Sequence, residues 1–339
     1  MAITGMAACA DPEAAAPDAK GATGPSVVSG SMAEVCAAGQ KEGKLVSWNS
    51  EDPDAFQKIF NEFSKTYPGI TLQSVSVRPD EVTQRVVTES AAGRPPEADA
   101  LSITQDKSGP LVENGLLDNS IDWSAMGVGD SYVLGKSMVR TERIAIGLAY
   151  NTAKVNVNDL PATWEGLVNS QFAGKVVVDP RGDPLQLLAI AWGKDKTVNF
   201  VKQLKAAARP VVVQGATAGL LTVASGENLV TTNGRSAETA QQQANGAPVA
   251  IHYLDVVPGV DYYTAVPKGA SHPNAGACWT AWLNSQPGRA AKQTFAFKGN
   301  VDLPEEAKGG TLAAIKSPQD AALVTDTAKA ISDVWSGRS

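Results

Sequence analysis

Short apolar runs alternate with amphipathic stretches along most of this chain, and few folds accommodate that rhythm. Leu45–Trp48, Ile70–Val77, Ala98–Ile103, Arg143–Tyr150, Lys175–Asp179, Val211–Gln214, Asn228–Asn233, Val249–Leu254 and Tyr262–Val266 read as strands. Helices fall between them. Asp52 caps the first and Pro53 opens it, while Phe56, Ile59, Phe60 and Phe63 follow i, i+3, i+4, i+7 and bury one face. Tyr67-Pro68-Gly69 stops it. Further helices are predicted over Pro79–Ala92, 108–117, Trp164–Asn169 (capped by Thr163), 184–193, 195–208, Ala218–Ala224 and Arg235–Asn245. Pro273–Asn284, Gly288–Phe297 and Pro318–Trp335 close the chain as helices. Strands alternating with helices predict α/β layers with mainly parallel sheets.

Composition narrows the function. At 339 residues the chain has room for two domains or one large one. Apolar residues make up 43% and charged residues 19%, a globular balance. A net charge of −6 argues against a nucleic-acid partner, which calls for a basic face. No apolar run is long enough to span a bilayer. Two histidines and three cysteines leave little for a zinc or iron–sulfur centre, and no cofactor is expected.

The chain opens Met1-Ala-Ile-Thr-Gly-Met-Ala7-Ala8-Cys9, which resembles the lipobox of bacterial lipoproteins. In that reading Cys9 carries the lipid. The segment departs from the pattern in having no Lys or Arg and only a short apolar run. Residues 10–30, ADPEAAAPDAKGATGPSVVSG, have no apolar period and read as a flexible tether. Cys36 and Cys278 remain. In an exported protein such a pair favours a disulfide; two unrelated buried thiols are the alternative.

An ordered set of segments resembles the solute-binding proteins of bacterial ABC importers, over roughly residues 36–300. It begins with KEGKLVSWNSEDPDAFQKIFNEFSKTYPGITLQSV and continues through EADALSI and LVENGLLD. RIAIGLAYNT looks like a crossover strand, and LPATWEGLVNSQFAGKVVVDP is similar to the family's P-x-T-W helix and following strand. VPKGASHPNAGACWTAWLNSQPGRA looks like its return strand and helix. The nearest branch is the one with ferric-ion-binding proteins. The resemblance implies a two-lobed type II periplasmic-binding-protein fold, α/β in class, with an interlobe cleft and hinge strands. Residues 1–30 would be signal remnant and tether, 31–142 the first part of lobe one, and 143–258 lobe two. Residues 259–300 would return to lobe one, and 301–339 would form C-terminal helices. It further implies an extracytoplasmic monomer, lipid-anchored or periplasmic, that hands a small solute to a permease and its ATPase. No nucleic acid is involved, and the membrane is reached only through the anchor.

Ligands of such folds sit beyond the carboxyl ends of strands, where helix amino termini point inward. That rule selects the candidates. Trp48, Asn49 and Ser50 follow the first strand, Arg78 the second, and Thr104 with Gln105 the third. In the second lobe Arg181, Thr217, Asn233 and Arg235 occupy strand-to-helix loops, and Tyr262 lies in the return strand. Arg235 opens a helix, where its charge opposes the dipole. An anionic ligand or a neighbouring carboxylate would account for it. His252 is expected to pack inside a strand and His272 to be solvated.

Iron-binding members carry a tyrosine pair where this chain has Asn233-Gly234-Arg235-Ser236. Many members also carry a His or Glu in the first-lobe loops; Glu51 is present here, but Thr104 stands at the position matched to a Glu. Arg and Ser in place of phenolates argue against ferric iron and for a small organic anion or zwitterion, of carboxylate or phosphonate type. Ferric iron uptake and an enzyme on the same fold are the competing readings. Cys278, in an apolar helix, lacks the electropositive setting of a nucleophile.

Overall fold

The computed structural model describes residues 25–168 and 171–338; Cys9 lies outside them. The chain starts with α1 (Met32–Glu42), β1 (Lys44–Asn49), α2 (Pro53–Thr66) and β2 (Thr71–Ser76). It continues through α3 (Pro79–Ala91), β3 (Ala100–Thr104), α4 (Gln105–Glu113), β4 (Val133–Leu134) and β5 (Met138–Asn151). β1 lies between β2 and β3, parallel to both.

Local chemistry explains these elements. Ser31 and Glu34 form a reciprocal cap on α1, and Gly43 ends it at φ 72°, a backbone region glycine enters freely. Asp52 caps α2 by accepting from the Asp54 and Ala55 N–H groups at 3.1 and 3.0 Å. Phe56, Ile59, Phe60 and Phe63 are buried, as their spacing requires. They pack on Trp279 and Trp282, with Phe63 edge-on to Trp279 at 5.2 Å. Each such side chain contributes about 1.5–3 kcal/mol of burial.

The second lobe holds β6 (Val176–Val178), α5 (Ala189–Trp192), α6 (Lys194–Ala208), β7 (Val211–Val212) and α7 (Ala216–Ala224). β8 (Val230–Arg235), α8 (Ser236–Ala244), β9 (Val249–His252) and β10 (Val256–Ala265) follow. β6 sits between β7 and β8, parallel to both. The chain then returns through α9 (Pro273–Asn284), α10 (Gln286–Ala296), β11 (Thr311–Ala313) and α11 (Pro318–Ser336). α11 buries Ile331 and Val334 in the core built around Trp164 and α6. Cys36 and Cys278 are disulfide-bonded and tie α1 to α9.

Two strands join the lobes. The first half of β5 pairs with β10, and its second half lies between β8 and β9. β10 is flanked by β3 up to Tyr262 and by β11 up to Pro258. Among the described residues no strand covers Gly259–Asp261 on that edge, and the cleft opens there.

The boundaries differ from expectation where polar residues are buried. Arg143–Tyr150 is only part of β5, and Tyr262–Val266 captures only the end of β10. The Arg143–Asp261 ion pair interrupts the apolar pattern without ending either strand. α4 starts at Gln105 and tolerates Pro110 inside it. Of the helix expected over Trp164–Asn169, Glu165–Leu167 forms a single 3-10 turn, with Thr163 Oγ1 accepting from Gly166 N–H at 3.2 Å; Asn169 lies outside the described residues. The 184–193 helix divides into a 3-10 turn, Leu185–Leu188, and α5.

Candidate ligand cleft

Three strand-to-helix junctions meet at the interlobe gap: β2 to α3, β3 to α4 and β8 to α8. A cavity of about 250 Å³ lies among them. Its first-lobe wall is the starts of α3 and α4, from Pro79, Thr104 and Gln105. Its floor is Gly259–Tyr262 on β10, and its second-lobe wall holds Asp183, Gln186 and Arg235. α3, α4 and α8 all begin without a side-chain cap, so their first N–H groups stay available.

Arg235 is the central charge. Its side chain is only 17% exposed, and its guanidinium donates to Asp183 Oδ2 at 3.0 Å. Burial works against that charge, but the carboxylates of Asp183 and Glu238 more than offset it, and the pKa rises above the ordinary guanidinium value. Asn233 Nδ2 donates to the same Asp183 oxygen at 3.0 Å. Several buried polar atoms here have no protein partner among the described residues: Arg235 Nε, Gln105 Oε1, Gln186 Oε1 and Asn233 Oδ1. Buried polar groups are normally satisfied, so such a cluster marks a place where another molecule completes the bonding.

The structure brings Thr104, Gln105, Arg235 and Tyr262 to the cavity wall, with Asn233 behind Asp183. It places the other candidates elsewhere. Trp48 is 2% exposed in the first-lobe core, with Arg85 over its ring at 5.5 Å; it is not free to stack on a ligand, because β1 turns it inward. Asn49 is buried and makes the turn after β1, bonding Ser74 Oγ and the Glu51 N–H. Ser50 lies in that turn, off the cavity wall. Arg78 points to solvent and pairs with Asp80 and Glu81 at 3.4 and 3.3 Å. Arg181 forms a two-pronged bond to Asp179 at 3.0 and 2.7 Å, which occupies its fork. Thr217 is exposed on α7, away from the cavity. His252 Nε2 lies 3.1 Å from the Pro161 carbonyl, as a packed strand histidine should. His272 corrects the solvated reading: its Nδ1 lies 2.9 Å from Asp99 Oδ2.

Sequence reasoning missed Asp183 and Gln186, and also a buried charge quartet. Lys292 reaches Glu142 at 2.7 Å and Lys298 reaches Glu51 at 2.9 Å, with cross-contacts of 3.7 Å. Burial pushes Glu142 up, but the two lysines outweigh it and hold it below the usual carboxylate range. Glu51 is raised by burial and by Glu142. Glu51 and Lys298 border a second hollow of about 430 Å³, which faces Glu238 on α8. Asp183 had a signal, since it lies just before a helical segment after a strand. Of the quartet only Glu51 had one, in the loop after β1; the pairing had none, because its members are far apart in the chain.

Among the described residues no group of three or more His, Cys, Asp or Glu side chains is placed to hold a metal ion, and no helix is long and apolar enough to cross a membrane.

Comparison with known proteins fits this architecture. The bacterial extracellular solute-binding protein family matches residues 47–290. Iron-bound HitA from Pseudomonas aeruginosa superposes with a TM-score of 0.69 at 17% identity, covering 86% of this chain and 99% of that one. A substrate-binding protein of an ABC transporter from Agrobacterium tumefaciens gives 0.67 at 18% identity, over 85% and 95%. AgtB from A. tumefaciens, in complex with agropinic acid, gives 0.61 at 18% identity, over 87% and 98%. No curated protein matches. The fold is therefore that of two-lobed periplasmic binding proteins, and the chain belongs to the bacterial extracellular solute-binding protein family.

Proposed function

We propose that this protein captures a small organic anion or zwitterion, of carboxylate or phosphonate type, and delivers it to the permease and ATPase of an importer. Arg235 carries the reading: a nearly buried guanidinium on the cavity wall with its Nε unpartnered. A guanidinium fork suits carboxylate and phosphonate oxygens. The uncapped starts of α4 and α8 add N–H donors of the same sign. A cavity of about 250 Å³ falls just under the roughly 300–1,000 Å³ of sites for drug-sized molecules, which suits a small metabolite.

Closure bends β5 and β10. Residues 31–142 and 259–300 move as one lobe and 143–258 as the other, with the helix of the 301–339 segment riding on lobe two. The protein acts as a monomer held to the cell membrane through a lipid on Cys9, and it returns its ligand chemically unchanged. Relatives of this fold are described with iron and with agropinic acid. Arg235 and Ser236, in place of a tyrosine pair, favour the organic class here.

A thermal-shift screen tests this, using carboxylates, amino acids, phosphonates, sugars, polyamines and Fe³⁺. Ligands of the native state raise the midpoint by mass action. A shift with one acid-bearing class, lost in Arg235→Ala, is the expected result. A shift with Fe³⁺ alone, with a visible phenolate–iron band, would replace it with iron uptake through Tyr262.

A further inference from the structure

The ion pairs around the cleft constrain the net charge of its ligand. The carboxylates lining the cavity are Asp80, Asp106, Asp183 and Asp261. Each already faces a base: Arg78 at 3.4 Å, Lys107 at 2.9 Å, Arg235 at 3.0 Å and Arg143 at 2.6 Å. The basic groups on the wall, Lys107 and Arg235, are both committed to those pairs. The acids and bases of the wall are thus paired before anything enters it. A simple anion docking on Arg235 would compete with Asp183 and leave one negative charge uncompensated in a half-buried cavity, which is costly.

The unsatisfied atoms point the same way. Arg235 Nε is a donor that calls for a ligand acceptor. Asn233 Oδ1, behind Asp183, is an acceptor that calls for a ligand donor. Turning side chains over does not change this. Asn233 has its Nδ2 held by Asp183 at 3.0 Å, and an ionised carboxylate has no donor. Among the described residues Asp183 takes both of its side-chain bonds on Oδ2 and none from a side chain on Oδ1. Arg235 and Asp183 thus offer an open donor and an open acceptor side by side.

We infer that the ligand is a small zwitterion, an amino-carboxylate or amino-phosphonate, and that Asp183 selects it over simple anions by receiving the ammonium group while Arg235 receives the acid. This rests on the cleft assignment above and names its substrate class. A ligand of zero net charge enters a site whose charges are already paired, and both of its poles find a partner.

Calorimetric titration of the full chain with matched pairs tests it: glycine against acetate, β-alanine against propionate, and 2-aminoethylphosphonate against ethylphosphonate. At least one zwitterion should bind at least about tenfold more tightly than its matched anion, the scale of one charged hydrogen bond. Asp183→Asn, which keeps shape and removes charge, should erase that ratio by weakening the zwitterion and strengthening the anion. Arg235→Gln should weaken both. The wild-type ratio stands without any variant, so a poorly folded Asp183→Asn does not spoil the test. Anions that bind as well as zwitterions and depend on Arg235 overturn the inference and leave the cleft assignment standing. Silence from both series, or binding indifferent to Arg235, overturns both.

Discussion

Arg143 and Asp261 face each other across β5 and β10 and share two bonds of 2.6 Å, from Nε to Oδ1 and from a terminal nitrogen to Oδ2. Both side chains are buried, on the two strands that join the lobes. Removing one partner strands a buried charge, which costs about 3–5 kcal/mol, whereas a packed apolar pair of similar size is close to neutral. Asp261→Asn should therefore lower the chemical-denaturation midpoint sharply. Arg143→Met with Asp261→Leu should recover part of the loss, since Arg140, 3.6 Å from Asp261, keeps only Asp302. A double variant no better than the single one would show that the pair does more than offset its own burial.

The disulfide joins residues 242 positions apart, from α1 to α9. Closing so long a loop restricts the unfolded chain strongly. Cys36→Ser with Cys278→Ser should cost about 2–5 kcal/mol in urea unfolding. Ligand affinity should hold, because both cysteines lie in the first-lobe core and not at the cleft.

Asp179 sets a pH dependence. Burial raises its pKa, but Arg181 and the Arg181 and Gly215 N–H groups outweigh it, and its carboxyl is held below the usual range. A carboxylate depressed in the folded state contributes stability that is complete above the unfolded pKa of about 4. That contribution is lost as pH falls through the lower folded value. Asp179→Asn should melt below wild type at pH 7, with the gap closing toward pH 2. A gap independent of pH would rule this linkage out.

Gly147 and Gly234 are register partners where β5 meets β8. A Cβ on Gly147 would stand 2.5 Å from the His252 carbonyl oxygen, and one on Gly234 would stand 2.8 Å from that of Gly147. Backbone cannot yield as a flexible side chain can. Gly234→Ala should destabilise by about 1–3 kcal/mol and weaken ligand binding, because Arg235 is the next residue. Calorimetry beside thermal melting separates the two effects; unaltered affinity would show that Arg235 is not positioned by this crossing.

Elements with local signals were legible in the sequence. Asp52-Pro53 and the phenylalanine period marked α2, and β8 to α8 was placed to within a few residues. Arg235 stood out because a cation at a helix start needs a partner, and Asp183 is that partner. Trp48 misled because its loop looked polar, while the side chain itself turns into the core between β1 and α3. The long hinge strands were cut short for a similar reason, since Arg140 and Glu142 on one and Asp261 on the other look like strand breakers until their partners are seen.

What the sequence determined alone is what short-range chemistry decides: the α/β class, the order of the elements, their caps, and the family. What only the tertiary structure decided is which charges meet. Glu51, Glu142, Lys292 and Lys298, or Asp183 and Arg235, are distant in the chain and adjacent in space. A buried charge takes its meaning from its partner, and the ion pairs of the cleft exist only once the two lobes have folded around β5 and β10.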